Sequence, residues 1–241
     1  MGLFNYYPDN HKGEGLDLEK KIFVHSLIFP TAFVMLFLII ESIEQVFELN
    51  FARGGIYPLH LKGIPGIFLS PLIHSGFSHL FANATPFFIF LTALIYYYRK
   101  ISYRIFFQIY LISGICVWIG GREAWHIGAS GVVYGLAAFH LTSGFLRNDV
   151  RLLTVSVIVV FLYGSMFWGL FPIKPDISWE SHLWGALSGI FLAVYYRKYG
   201  VRRKKFEWED EPDEDEGDTN GDTSNKNPDN MSTTMDESIH S

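Results

Sequence analysis

Apolar residues in this chain fall into six blocks, at about 22–47, 76–98, 102–120, 129–146, 152–171 and 181–196, from which charged side chains are largely excluded. Crossing ~30 Å of hydrocarbon takes ~20 helical residues, and the shorter blocks suffice where their ends are polar or the bilayer is thinned. The pattern predicts an all-α, polytopic membrane protein with six transmembrane helices. Pro30 falls inside the first block, where neighbouring helices or water can satisfy the carbonyl it frees. Residues 48–73 form a connection rich in glycine and proline whose apolar side chains, among them Phe51, Ile56, Tyr57 and Phe68, suit an element lying in the interface. Three regions are expected: a polar amino-terminal segment over 1–20, a membrane domain over 21–200, and a tail over 201–241 that starts basic and becomes acidic. The first block is too long for the core of a cleavable signal peptide.

Composition changes this picture through its distribution. The formal net charge of −5 over 241 residues hides a strong asymmetry. Residues 207–241 hold 13 of the 24 acidic residues and one base, Lys226, which leaves 18 bases against 11 acids elsewhere. The tail lacks the apolar residues needed to form a core and is expected to be disordered. Threading the six blocks through a bilayer puts Lys12, Lys20, Lys21, Arg99, Lys100, Arg104, Arg147, Arg151, Arg197, Lys198 and the cluster Arg202, Arg203, Lys204 and Lys205 on one side. Only Arg53, Lys62, Arg122 and Lys174 fall on the other. Lysine and arginine accumulate on the cytoplasmic side, so both termini are expected there, in a protein of the plasma membrane. Cys116 is the single cysteine, which excludes an intrachain disulfide and argues against a cysteine-based metal site.

With this topology the second, fourth and sixth helices all enter from the outer face. His79 lies in the early turns of the second, Ser130 opens the fourth and His182 opens the sixth. From Ser130 to Arg147 is ~26 Å of helix and from His182 to Arg197 ~23 Å, at 1.5 Å per residue. Both groups then sit several ångströms inside the outer boundary, at a depth that requires a water-accessible cavity. Polar groups at such depth are costly and usually functional.

A serine and a histidine on separate helices suit a nucleophile and its general base. Gly128 and Gly131 flank Ser130 and permit a tight helix entry and close approach of a substrate carbonyl. The Ser130 amide, in the first helical turn, has no intrahelical acceptor and is free to donate to an oxyanion. His79 and Asn83, four residues apart, share a helical face and add two donors. Tyr134, one turn below Ser130, is placed to stack on the His182 imidazole and orient it. Gly185 and Gly189 share the face of His182, and Gly131 and Gly135 repeat the spacing on the fourth helix, a pattern that lets two helices approach closely.

These residues resemble the rhomboid family of intramembrane serine proteases. The likeness rests on His74-xxxx-His79-xxx-Asn83, on Gly128-Ala129-Ser130-Gly131 with Tyr134, and on Ser181-His182-xx-Gly185-xxx-Gly189. It spans residues 20–200. It implies a six-helix fold, a Ser130–His182 dyad and an oxyanion hole made by His79, Asn83 and the Ser130 amide. It further implies that transmembrane helices of other proteins are the substrates, cut near the outer face, with the fifth helix and the loop over the site gating entry. The first connection departs from a common rhomboid pattern: it carries Ala52-Arg53-Gly54 and no tryptophan-arginine pair.

Other classes fit less well. A non-catalytic, rhomboid-like binder or chaperone of membrane helices typically loses the serine or the histidine, and both are here. A transporter would carry mid-span charges or paired repeats. His74 and His79, five apart, lie about 140° apart on a continuous helix and make poor joint metal ligands. No metal, cofactor or nucleic-acid partner is expected; the lipid bilayer and membrane-protein substrates are, with the oligomeric state left open. His25 and His140 read as structural, and Glu41 and Glu44 as partners of loop groups. Phe161, Tyr163, Phe167, Trp168 and Phe171 read as lipid-facing or packed, with gating as the sharper alternative.

Overall fold

The computed structural model describes residues 15–162, 168–173 and 178–199. Six helices of thirteen or more residues occur among them: α1 (Gly15–Val46), α2 (Phe77–Tyr97), α3 (Ser102–Gly120), α4 (Ser130–Arg147), α5 (Val150–Leu162) and α6 (Trp179–Tyr195). They belong to one compact unit, Met1–Arg203. Tyr163, Phe167, Lys174, most of the amino-terminal segment and the whole of the acidic tail lie outside the described residues. No strand forms among those described; one isolated antiparallel bridge joins Ile56 to His126.

Among the described residues three helices, α1 from Asp17, α2 and α3, are long and apolar enough to cross a membrane by length and composition alone. The α4 and α6 helices have 18 and 17 residues. Apolar side chains point outward along these elements, as lipid requires and water would not: Ile28 and Ile39 on α1, Ile119 on α3, Phe161 on α5 and Phe191 on α6 are all exposed. The protein is an integral membrane protein built from helices.

The core joins α1, α2 and α3 through aromatic rings. Phe33 of α1 meets Phe87 of α2 and Phe106 of α3 at centroid distances of 5.8 and 5.4 Å. Phe87, Phe90, Leu94 and Phe106 are fully buried. Pro30 and Pro86 are accommodated inside α1 and α2. The α1 helix begins at Gly15, seven residues before the apolar block, because helix continues into a polar stretch that hydropathy alone does not register.

The connection from 48 to 73 folds back on the carboxy-terminal end of α3 through short turns at Ala52–Gly54, Leu61–Gly63 and Ser70–Leu72 and a four-residue helix at Gly66–Leu69. Leu59 N–H donates to Trp118 O (2.9 Å), and the Trp118 indole N–H donates to His60 O (3.1 Å). Leu59, Leu61 and Phe68 remain exposed, which suits an interfacial element. Between α4 and α5, Asn148 takes the left-handed conformation that ends a helix, and Asp149 accepts the Arg151 N–H at the start of the next.

The most extensive helix pairing is α4 with α6. A Cβ at Gly185 would fall on the Gly131 carbonyl oxygen, and one at Gly189 on that of Gly135. The two backbones therefore approach more closely than any side-chain-bearing residue would allow. That pairing brings the first turns of both helices, and with them Ser130 and His182, side by side.

Candidate active site

Ser130 is the first residue of α4, after Ala129 at the cap. Gly128, just ahead, has φ +102°, a conformation that favours glycine, and a Cβ there would meet His79 Cε1 and Nε2 at 2.9 Å. Both features require glycine at this position. The same geometry sets His79 Nε2 beside the segment leading to Ser130, with Asn83 Nδ2 at 3.9 Å from that Cβ position.

His182, in the first turn of α6, is 7% exposed, while Ser130 is half-buried. Its Nε2 lies 2.9 Å from Ser130 Oγ. Its Nδ1 lies 2.7 Å from the carbonyl oxygen of Gly169. A carbonyl only accepts, so in the neutral imidazole the proton sits on Nδ1, and Nε2 presents a lone pair to the serine hydroxyl. The Tyr134 ring lies parallel to the imidazole, 4.1 Å between centroids and 5° between planes. A Cβ at Gly169 would collide with the Tyr134 hydroxyl and lie 2.9 Å from His182 Nδ1, so residue 169 must be small for the ring to keep its place.

On α2 a second tautomer is fixed in the same way. Ser75 N–H donates to His79 Nδ1 (3.3 Å), so the proton of a neutral ring sits on Nε2, the atom turned toward Gly128. Asn83 Nδ2 donates to His79 O (2.8 Å) and retains a second hydrogen. The first intrahelical bond near the start of α4 runs from Val133 N–H to Ala129 O, leaving the Ser130 N–H ahead of it. His74 is not helical: α2 starts at Phe77, so the 140° separation expected on a continuous helix does not apply. Its ring is buried and meets His79 at 5.3 Å and Phe37 at 5.2 Å. Burial lowers the His74 pKa to about 4, with His79 adding to the effect, so the ring is neutral at physiological pH.

A family model, the Rhomboid domain, matches residues 63–199, more than half of the chain. The chain belongs to the rhomboid family. Uncharacterized proteins of Mycobacterium tuberculosis (strain H37Rv) and Mycobacterium leprae are each 31% identical to it, over 172 and 173 residues. Those alignments cover 67% of this chain and 71% and 67% of the relatives. The Bacillus subtilis protein named "Putative rhomboid protease YdcA" is 31% identical over 127 residues, covering 51% of this chain and 62% of the relative.

Some groups around the candidate site carry no mark in the sequence. The Gly169 carbonyl is main chain, and any residue offers one. His126, four residues before Ser130, is buried and hydrogen-bonded to Ser178, yet its spacing matches no motif. Elsewhere Glu44 Oε1 accepts the Phe51 N–H of the first connection (2.8 Å), as expected of a loop partner. Glu41 departs from that expectation: the bond it makes is from Gln45 Nε2, within its own helix (2.9 Å). His140 donates from Nδ1 to Leu136 O and stacks on Phe90, a packing role.

Proposed function

We propose that this rhomboid is an intramembrane serine endopeptidase that cuts the transmembrane helices of other membrane proteins near the outer face, with Ser130 as nucleophile and His182 as general base. The observation that carries the reading is the 2.9 Å contact between Ser130 Oγ and His182 Nε2, with Nδ1 committed to a carbonyl. Ser130 Oγ attacks the scissile carbonyl as its proton passes to His182 Nε2. The Nδ1–H···O=C bond to Gly169 strengthens as the imidazolium forms, in the place a carboxylate takes in a triad. His79 Nε2–H, the second Asn83 hydrogen and the Ser130 N–H donate to the oxyanion. Collapse of the tetrahedral intermediate passes the proton to the leaving amine, and water then hydrolyses the acyl-enzyme by the reverse sequence. Gly128, Gly131, Gly185 and Gly189 support this geometry by close packing, Tyr134 by stacking and His74 by bracing His79. Phe161, Trp168 and Phe171 are exposed on the side of α5 and the segment after it, where a substrate helix would enter.

The six-span topology, with both termini in the cytoplasm of a plasma-membrane protein, belongs to the same proposal, as do the boundaries 1–20, 21–200 and 201–241. A binder of helices has no need of a hydroxyl held against an oriented imidazole, so the catalytic reading is favoured. The test is cleavage of membrane proteins in proteoliposomes. Wild type yields product, while Ser130→Ala and His182→Ala, both folded, yield none. Product from either variant at the wild-type rate rejects the dyad.

A further inference from the structure

One buried histidine takes no part in the reaction proposed above. His126 is 2% exposed, in the segment that leads into α4. Its main chain is held by a pair of bonds with the first connection: His126 N–H donates to Ile56 O (2.8 Å) and Ile56 N–H to His126 O (3.0 Å). Its ring makes two bonds, and the first fixes the second. Nε2 lies 3.0 Å from the Arg122 carbonyl oxygen, which only accepts, so Nε2 carries a proton. Burial lowers the pKa of the ring, which is therefore neutral at physiological pH and leaves Nδ1 as an acceptor.

The partner at Nδ1 is Ser178 Oγ at 2.5 Å, which must donate. Ser178 Oγ is also 2.6 Å from Ser181 Oγ, and it accepts the Ser181 N–H (3.4 Å) as the cap of α6. With its own proton committed to His126, Ser178 only accepts from the Ser181 hydroxyl. The chain therefore has one direction, from Ser181 to Ser178 to His126 to the Arg122 carbonyl. Beside it Arg122 Nε lies 3.6 Å from the buried Glu180 Oε1, a second tie between the same two segments.

The ends of this chain decide what it does. Ser181 immediately precedes His182, and His126 precedes Ser130 by four residues. Glycine packing holds α4 and α6 together below; these hydrogen bonds hold their entries together above. We propose that His126 is a positioning residue: through Ser178 and Ser181 it fixes the entry of α6 against the entry of α4, and so sets the reach from His182 Nε2 to Ser130 Oγ. The inference rests on the dyad reading. Misplacement of a reacting group by about 1 Å costs on the order of 100-fold in rate, so a modest loosening is measurable.

The full chain in proteoliposomes supplies the test, with kcat and KM on a transmembrane substrate, the rate of Ser130 modification by a fluorophosphonate, and the melting temperature. His126→Asn puts an amide oxygen near the Nδ1 position and keeps an acceptor for Ser178. His126→Gln reaches the Arg122 carbonyl and leaves Ser178 without one. The Asn variant should stay within about threefold of wild type, while Gln and Ala lose about tenfold or more in kcat and labelling with KM unchanged. Ser181→Ala keeps the cap acceptor and leaves the His126 site filled; it should lose labelling rate in the same direction by a smaller factor. Equal rates for Asn and Gln overturn the positioning role with the dyad intact. If the His126 variants do not fold, an unchanged labelling rate in Ser181→Ala overturns it instead. Wild-type protein that neither cleaves nor labels removes the dyad reading itself.

Discussion

The Nδ1 of the His182 imidazole meets a main-chain carbonyl, where a catalytic triad has a carboxylate. A carbonyl fixes its tautomer, a tyrosine ring fixes its plane, and a glycine at 169 leaves room for both. Of these three only Tyr134 was legible in the sequence, because a side chain one helical turn from the nucleophile has a predictable position. The carbonyl of Gly169 comes from a segment whose path depends on tertiary packing, and main-chain groups carry no residue signature. His126 escaped for a related reason: its role depends on Ser178, 52 residues away. The proposed donors His79 and Asn83 were read from helical spacing, and their contribution is measurable separately from the proposed dyad. His79→Ala and Asn83→Ala should each lower kcat, by about 100-fold or more where the lost donor is fully engaged, with little change in KM. Steady-state kinetics on a transmembrane substrate checks this; an unchanged kcat in either variant takes that residue out of the oxyanion role.

At the scale of elements, the pairing of α4 with α6 carries the site. Gly131 and Gly135 face Gly185 and Gly189 so closely that carbonyl oxygens occupy the space of absent Cβ atoms. This was readable in advance because glycine spacing on a helix fixes which residues share a face. Element ends were less legible, since polar residues extend α1 to Gly15 and open α6 at Trp179. His74 shows the same effect: taken as helical it pointed away from His79, and only the start of α2 at Phe77 brings the rings together. Gly189 lies two turns from His182, so a larger residue there separates the helices without touching the reacting atoms. Gly189→Leu should destabilise the protein by about 1–3 kcal/mol and reduce activity in parallel. Thermal unfolding in detergent measures the first effect, and a wild-type melting temperature with wild-type activity would contradict the close packing.

For the whole molecule, the proposed orientation rests on the separation of lysine and arginine between alternate connections, and the proposed site depends on it, since Ser130 and His182 must open to one side. The blocks of apolar sequence revealed the helices because hydrocarbon tolerates few polar groups, whereas the folded course of residues 48–73 rests on tertiary bonds such as Trp118 to His60. Cys116 is the only cysteine, so a Cys116→Ser background permits single-site labelling. In intact cells a membrane-impermeant maleimide should modify Lys62→Cys, while Arg99→Cys reacts only after permeabilisation. The reverse pattern would turn the site toward the cytoplasm and contradict cleavage at the outer face.

Covalent labelling of native membranes with a fluorophosphonate, followed by mass-spectrometric mapping of the adduct, tests whether Ser130 is a nucleophile made reactive by His182. Wild type should carry an adduct on the Ser130 peptide, and His182→Ala, where the serine is still present, should not. Equal labelling of Ser130 with and without His182, or a preparation that cleaves membrane substrates while Ser130 stays unmodified, would contradict it.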